Sequence, residues 1–467
     1  MRKIVVTIFL MVACACQGQV FPTDTVVKKG ALNKRINFVY LSDGYLAGEL
    51  NTFATDVTTI NNKLFLTTPF KEYINYFNIF QVRVPSAESG AKHAHSASDC
   101  PDVSVQPVSD PKNYFGSRFD YGGIHRLLVP DSNAKINSVL ASNLPNYDQA
   151  FIIAHSAFYG GSGGVYATSS TDPSSAEVAI HELGHSFGKL ADEYWAGSQY
   201  AMEKPNMTAE SNPALVKWKN WVGLNNVGVF PYSGSASWFR PVQGNRCKME
   251  VLGVPFCSVC VEAMIERIHT LVSPIDKVTP AVAAVPLNLD GSQYGFKLDL
   301  IAPIPNTLKV TWKLDGNQIA TNTDTVTING ANLSVANHTL VATVIDTSQL
   351  SKADNHIAIH TYNTQWNISR VTGISDPQLF KANLQVFPNP AVRDITVKYE
   401  LEKKANVSVE FFTVDGKRIS RYEQKGQLPG RYTYTLDAKR MRISPGMYFV
   451  VFAINGSRLT KEVIKIE

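Results

Sequence analysis

His181-Glu182-Leu183-Gly184-His185 sets two imidazoles four residues apart, with a carboxylate directly after the first. An α-helix turns once in about 3.6 residues, so on a helix both imidazoles stand on one face, one above the other. Two nitrogens so placed can grip one metal ion, and borderline-soft zinc suits neutral imidazole. Glu182, projecting beside them, can take a proton from water polarised by that metal. The chemistry implied is hydrolysis of a peptide bond, with His181 and His185 as Zn2+ ligands and Glu182 as general base.

A catalytic zinc takes a third protein ligand and leaves its fourth place to water. Zinc peptidases of the metzincin kind extend the motif to H-E-x-x-H-x-x-G-x-x-H. Gly188 occupies the glycine position, but the third-ligand position is Ala191, which offers no donor. The next residue, Asp192, is the expected third ligand, with Glu193 the alternative. The carboxylate left over is expected to support a histidine by hydrogen bonding. Metzincins also set a methionine turn beneath the metal, for which Met249 is the candidate; its plainer reading is core packing. The tyrosine that some members carry two residues beyond that methionine is replaced here by Val251. Tyr194 or Arg240 could serve the oxyanion instead, although each reads more simply as structural.

Other groups carry weaker signals. The run Gly160–Gly164 lacks the Lys-Ser/Thr of a phosphate loop and reads better as a backbone edge that pairs with an extended peptide. His93 and His95 are expected as exposed loop histidines, a second metal site being the alternative. His125, His155 and His269 are expected to be structural. Asp43 alone is too little for calcium. No serine or cysteine has the partners of a nucleophilic triad.

The elements that must position this chemistry can be read from periodicity. An apolar run at 36–42 ends at the turn Asp43-Gly44, a helix is expected at 46–65, and further strands at 79–84 and 147–155. Ser174 and Glu177 have capping-box spacing, and Ala176, Ile180, Leu183 and Phe187 form an apolar stripe on the motif helix. Gly188 is expected to stop that helix in a left-handed conformation. Prolines 274, 280 and 286 mark a linker, after which strands and turns alternate to about residue 370. A second all-β unit follows a linker at Ser375-Asp376-Pro377. The expected fold is an α+β or α/β zincin-like catalytic domain (20–272) followed by two β-sandwiches, the first Ig-like (273–372) and the second at 384–467.

The composition, 44% hydrophobic and 18% charged, is that of globular protein. The formal charge of +5 resides in the tail, where residues 386–467 hold 15 Lys and Arg against 9 Asp and Glu. No basic cluster with interleaved aromatics points to nucleic acid. Met1-Arg2-Lys3 and the apolar run 4–15 form a secretory signal, expected over residues 1–19 and too short to anchor in a bilayer. Met11-Val12-Ala13-Cys14 weakly resembles a lipobox, leaving a lipoprotein as the alternative. No later segment is long enough to span a membrane. In an exported chain, Cys100, Cys247, Cys257 and Cys260 are expected to form disulfides, in one of three pairings.

Several separated motifs, taken together, resemble a known family. Leu41-Ser42-Asp43-Gly44-Tyr45, Tyr159 to Gly164, His181 to Trp195, Cys247-Lys248-Met249 and Phe256 to Cys260 are similar to the metallopeptidase family named after a bacterial IgA peptidase, over about residues 30–272. The resemblance implies a zinc endopeptidase acting on a protein or peptide, without implying that IgA is cut. Val386-Phe387-Pro388-Asn389-Pro390, Asp415-Gly416-Lys417, Pro445 to Val450 and Lys461 to Lys465 resemble the C-terminal sorting domain of the type IX secretion system of Bacteroidota. That implies contact with the export machinery and a secreted or outer-surface location. The rival reading is a surface adhesin or a glycan- or protein-binding module with a vestigial zinc site.

Overall fold

The computed structural model describes residues 19–466, except 233, 235–236, 288–292, 335, 371–382, 439–440 and 442. The expected signal segment, save Gln19, and the linker at 375–377 lie outside the described residues.

Strands buried on both faces lack polar alternation, and the chain carries three such runs. Strands β2 (Ile36–Asp43), β3 (Phe77–Val82) and β4 (Gln149–Ala154) are buried along their whole length. With β1 (Thr23–Val27), β5 (Gly161–Gly163) and β6 (Ala167–Ser169) they form one sheet in the order β1-β3-β2-β4-β6-β5. The interior pairs β3-β2, β2-β4 and β4-β6 are parallel, and the two edge strands are antiparallel to their neighbours.

Helices cover both faces. Phe38, Tyr40, Phe151 and Ile153 face a core shared with α1 (Leu50–Leu64), α3 (Ser175–Ser186) and α4 (Ser258–Leu271). The alternate residues Val39, Leu41 and Ile152 face α2 (Asn133–Asn143) through Ile136, Val139 and Leu140. The Phe187 ring meets Phe38 edge-on at 5.4 Å, which pins the end of α3 over the centre of the sheet.

Two local expectations fail. The capping box does not form, since the Ser174 side chain makes no cap bond. Glu177 instead pairs with Lys63 at 2.7 Å and with Lys248, because two ammonium groups attract a carboxylate more strongly than one backbone N–H. Nor is Gly188 the left-handed stop of α3; Lys189 takes that conformation, at φ 57°. Gly188 is needed for space, as a Cβ there would lie 2.9 Å from the Gly184 carbonyl oxygen.

Beyond α4 the described chain is almost entirely β. Residues 275–370 contribute a three-stranded and a five-stranded sheet, with Trp312 stacked on Trp366 at 5.7 Å in the core between them. This unit is locked to the α/β unit. Buried Asp346 accepts from Tyr73 Oη at 2.6 Å and contacts His269 Nε2 at 2.9 Å, and Glu262 accepts from the Lys352 N–H. Residues 385–465 build two more sheets, of three and four strands, around Val397, Val409 and Phe452. The architecture is thus mixed α/β with a sheet-rich C-terminal region, as sandwich units require. No helix among the described residues is long and apolar enough to cross a membrane.

Asp43, at the C-terminal end of β2, is fully buried and is a structural clamp. Its Oδ1 accepts from the N–H of Gly44 and Phe115, at 3.1 and 2.9 Å, and its Oδ2 from the N–H of Ser117 at 2.9 Å. Asp43→Ala leaves the buried N–H groups of Phe115 and Ser117 without their acceptor, and stability is expected to fall by about 2–4 kcal/mol. Denaturant unfolding checks this, and a midpoint within error of the parent would remove the clamp role.

Candidate active site

Helix α3 buries Ile180 and Leu183 against the sheet, so residues about 100° around the helix emerge into a cleft. Both motif histidines emerge there. His181 Nδ1 donates to the Lys248 carbonyl at 2.8 Å, and His185 Nδ1 to the Leu190 carbonyl at 2.9 Å. Those bonds commit both Nδ1 atoms and turn both Nε2 atoms inward, 3.2 Å from each other.

Asp192 reaches the same point. Its Oδ1 lies 3.1 Å from His181 Nε2 and 3.2 Å from His185 Nε2. The three donor atoms thus form a nearly equilateral triangle. Ligands on a tetrahedral zinc, with bonds of about 2.0–2.1 Å, stand about 3.3–3.4 Å apart, so the donor set fits such an ion. Glu182 also falls among grouped metal-binding side chains with His181 and His185, but its Oε2 lies 4.0 Å from His185 Nε2. The shorter distances favour Asp192 as a donor and leave Glu182 beside the triangle.

The charges respond to this crowding. Burial acting alone would raise Asp192, but hydrogen bonds to both imidazoles hold its carboxyl well below the usual range. Burial would lower His185, but its bond to Asp192 and that charge hold it up at about 9. Burial raises Glu182 despite the opposing pull of both histidines.

The chain beyond α3 is bent so as to return Asp192 to the helix. The left-handed Lys189 makes the turn, and Leu190 N–H bonds back to the Gly184 carbonyl at 3.0 Å. Asn206 then brackets Ala191, accepting from its N–H at 2.8 Å and donating to its carbonyl at 2.9 Å. Beneath the helix lies Met249, fully buried in a turn closed by Glu250 and Val251 N–H groups on the Cys247 carbonyl. A Cβ at Gly184 would lie 2.6 Å from the Met249 sulfur.

Glu193 points elsewhere. Its side chain is fully buried beside Cys247, Cys257 and Cys260 rather than beside the histidines. The expected disulfides are absent, since all four described cysteines are free. Arg240 is also committed to structure, donating to the Glu193 carbonyl and to Glu250. Tyr194 does line the cleft, with the Arg126 guanidinium over its ring, 5.8 Å from the centroid.

The expectation of exposed loop histidines fails at His93, which is 1% exposed. Its Nε2 lies 3.7 Å from Cys100 Sγ, and His125 Nδ1 lies 2.9 Å from Asp120 Oδ1 in the same group. No local pattern revealed this cluster, whose members are gathered from 33 residues of largely irregular chain. His155 stacks on Tyr45 at 4.3 Å, and His269 is buried against Asp346, both structural roles as expected.

The cleft, of about 1210 Å³, runs between α3 and the edge strand β5. Its rim carries the exposed side chains Tyr121, Tyr159, Trp195, Tyr200 and Met202. Strand β5 approaches the site so closely that only glycine fits. A Cβ at Gly163 would lie 2.5 Å from His185 Cβ and 2.9 Å from Glu182 Oε2.

A cleft in a mixed α/β unit, with a His-Glu-His constellation on one helix and a converging aspartate, makes a candidate active site. The comparison with known families agrees: residues 25–237 match the model described as IgA Peptidase M64, a family of metallopeptidases. Residues 385–467 match the secretion system C-terminal sorting domain, which directs type IX export to the cell exterior or surface. One region is thus similar to a peptidase family and the other to an export tail. No curated protein matches the chain significantly. Solved structures match only loosely. Dimeric latent PorU from Porphyromonas gingivalis is 15% identical, over 41% of this chain and 20% of that one, at a TM-score of 0.17. The fibronectin(III)-like modules of Clostridium thermocellum CbhA are 14% identical, over 41% and 92%, at 0.18. A β-glucuronidase of Parabacteroides merdae is 9% identical, over 71% and 39%, also at 0.18. The chain thus spans about a fifth of the PorU structure, and at these scores none of the three bears on its fold or activity.

Gly163→Ala should keep the fold yet push His185 and Glu182 apart. Hydrolysis of unfolded casein is expected to fall at least tenfold, with a circular dichroism spectrum like the parent's. Parental activity would mean that β5 yields without disturbing the site.

Proposed function

We propose that this protein is a secreted zinc-dependent endopeptidase whose catalytic unit, residues 20–272, is zincin-like. The observation that carries the proposal is the triangle of His181 Nε2, His185 Nε2 and Asp192 Oδ1, with sides of 3.1–3.2 Å and with Glu182 beside it. These three side chains would hold Zn2+. When bound, the ion supplies Lewis acidity, lowering the pKa of water to about 7 and polarising a carbonyl oxygen.

The remaining work falls to the chain. Glu182 takes the proton of the attacking water and returns it to the amine nitrogen as the peptide bond breaks. The carbonyls of Lys248 and Leu190 keep both imidazoles in the tautomer that presents Nε2. Tyr194, which lines the cleft, would donate to the developing oxyanion.

Substrate is an extended polypeptide. The cleft exceeds the few hundred to about 1,000 Å³ of ordinary small-molecule pockets. In the β5–β6 ladder, Gly161 exchanges bonds with Arg126 and Leu128 on the side away from β6. By strand alternation, Gly163 turns its N–H and C=O the same way, beyond the reach of that segment, and can pair with a substrate backbone. The exposed aromatics at the rim would receive side chains. IgA itself is not singled out by any of these features.

Glu182→Gln is expected to retain the metal, measured by elemental analysis, while turnover on casein falls by about 10²–10⁴. Activity near the parent's would refute the base assignment. Asp192→Ala is expected to lower bound zinc well below one equivalent at this site, whereas Asn206→Ala, which removes the bracket on Ala191 and a donor to Glu193 but no ligand in the cleft, should weaken binding less. A chelator should abolish cleavage and added Zn2+ restore it; chelator-resistant cleavage would sink the proposal.

A further inference from the structure

Behind the cleft the chain gathers a second set of donors with no part in the reaction above. Cys260 Sγ lies 3.6 Å from Cys247 Sγ and 3.2 Å from Glu193 Oε1, and Cys257 Sγ lies 3.9 Å from the same oxygen. All four ligand atoms are within 4.8 Å of one another. Sulfurs in a disulfide stand about 2.0 Å apart. Ligands around a tetrahedral zinc, with Zn–S bonds of about 2.3 Å, stand about 3.7 Å apart, close to the spacing here.

The cluster is dry, and its acid is poorly compensated. Glu193, Cys247 and Cys260 are 0% exposed and Cys257 is 7% exposed. Glu193 Oε1 accepts from Asn206 Nδ2 at 2.9 Å, but Oε2 has no partner. The neighbouring cation, Arg240, donates to the Glu193 main-chain carbonyl instead. A buried carboxylate left with a bare oxygen is costly, and a cation between it and the sulfurs removes that cost.

The start of α4 favours negative sulfur. Cys257 is the N-cap of α4 and Cys260 lies in its first turn, where the helix dipole stabilises negative sulfur. The Cys257 N–H also donates to Cys247 Sγ at 3.3 Å. A disulfide would strand the third cysteine, whereas a metal uses all three. Thiolate-rich donor sets select zinc over magnesium or calcium.

We infer that Cys247, Cys257, Cys260 and Glu193 form a structural zinc centre, separate from the proposed catalytic one. It joins three segments that meet behind the cleft. Glu193 adjoins Asp192 in the chain, and its N–H bonds to the Met249 carbonyl at 2.8 Å. Cys247 precedes Lys248, whose carbonyl orients His181. Cys257 and Cys260 anchor α4. The residues of this centre are positioning residues, and it stands whether or not the cleft proves peptidolytic.

The test uses the full chain and the variants Cys100→Ser and Cys260→Ser, reconstituted with Co2+. Thiolates bound to Co2+ give an intense near-ultraviolet charge-transfer band, and Cys100→Ser removes the His93 cluster as a source of it. The band is expected to persist in Cys100→Ser. In Cys260→Ser it should fall severalfold, with one equivalent less metal than the parent. Denaturation of the parent in alkylating reagent should leave all three clustered cysteines alkylated. Two of the three joined to each other instead, or unchanged metal content in Cys260→Ser, would overturn the centre. If Cys260→Ser does not fold, zinc-edge X-ray absorption of Cys100→Ser decides: sulfur neighbours are expected, and a shell of nitrogen and oxygen alone refutes the inference.

Discussion

The site depends on two hydrogen bonds from imidazole to main-chain carbonyl. A histidine can offer a lone pair from either ring nitrogen, and the partner of the other nitrogen decides which. Lys248 and Leu190 make that choice for His181 and His185, and in both rings it leaves Nε2 facing Asp192. Much of the surrounding structure can be read as a means of holding those two carbonyls still. The left-handed Lys189 returns Leu190 to the helix, and the buried Met249 turn carries Lys248. The Lys248 side chain is itself tied to Glu177, one turn before the motif on α3. The same residue therefore fixes the distance between helix and turn through its side chain and the orientation of His181 through its backbone.

Close approach is the second constraint. Strand β5 comes near enough to α3 that a side chain at Gly161 would strike Val178, and one at Gly163 would strike His185. Gly184 likewise lets Met249 rise against the underside of the helix. Gly161, Gly163 and Gly184 are accounted for by space rather than by backbone angles: none of the three has a positive φ. An edge strand stripped of side chains beside the proposed metal leaves backbone as the main surface offered to a substrate. Polypeptide, which brings its own N–H and C=O groups, is the ligand such a surface suits.

Legibility in the sequence followed sequence distance. The buried strands around Phe38, Ile79 and Phe151 and the helix of His181 and His185 are set by local periodicity, and they were readable. Asp192 was half readable: the motif showed that Ala191 could not serve, but only the turn at Lys189 and the bracket from Asn206 separate Asp192 from Glu193. Glu177 was misread as a capping residue because its true partners, Lys63 and Lys248, are 114 and 71 residues away. The convergence of His93, Cys100, Asp120 and His125, and that of the other three cysteines with Glu193, arises from tertiary folding that brings separate segments together. Cysteine count and an exported context pointed to disulfides, a rule about compartments that says nothing about which side chains meet.

The two adjacent acids have opposite destinations, Asp192 at the imidazoles and Glu193 at the cysteines. Once Ala191 is bracketed by Asn206 and the Glu193 N–H is fixed on the Met249 carbonyl, the direction of Asp192 is largely set: toward the imidazoles, with Glu193 turned toward the cysteines. A one-residue slip would exchange the two, giving the imidazoles the longer acid and the cysteines the shorter. Asn206 opposes that slip from both ends, since it bonds Ala191 through N–H and carbonyl while donating to the Glu193 carboxylate. One buried amide thus holds the register of both acids, and the donor set in the cleft is coupled to the cluster behind it without a side chain shared between them.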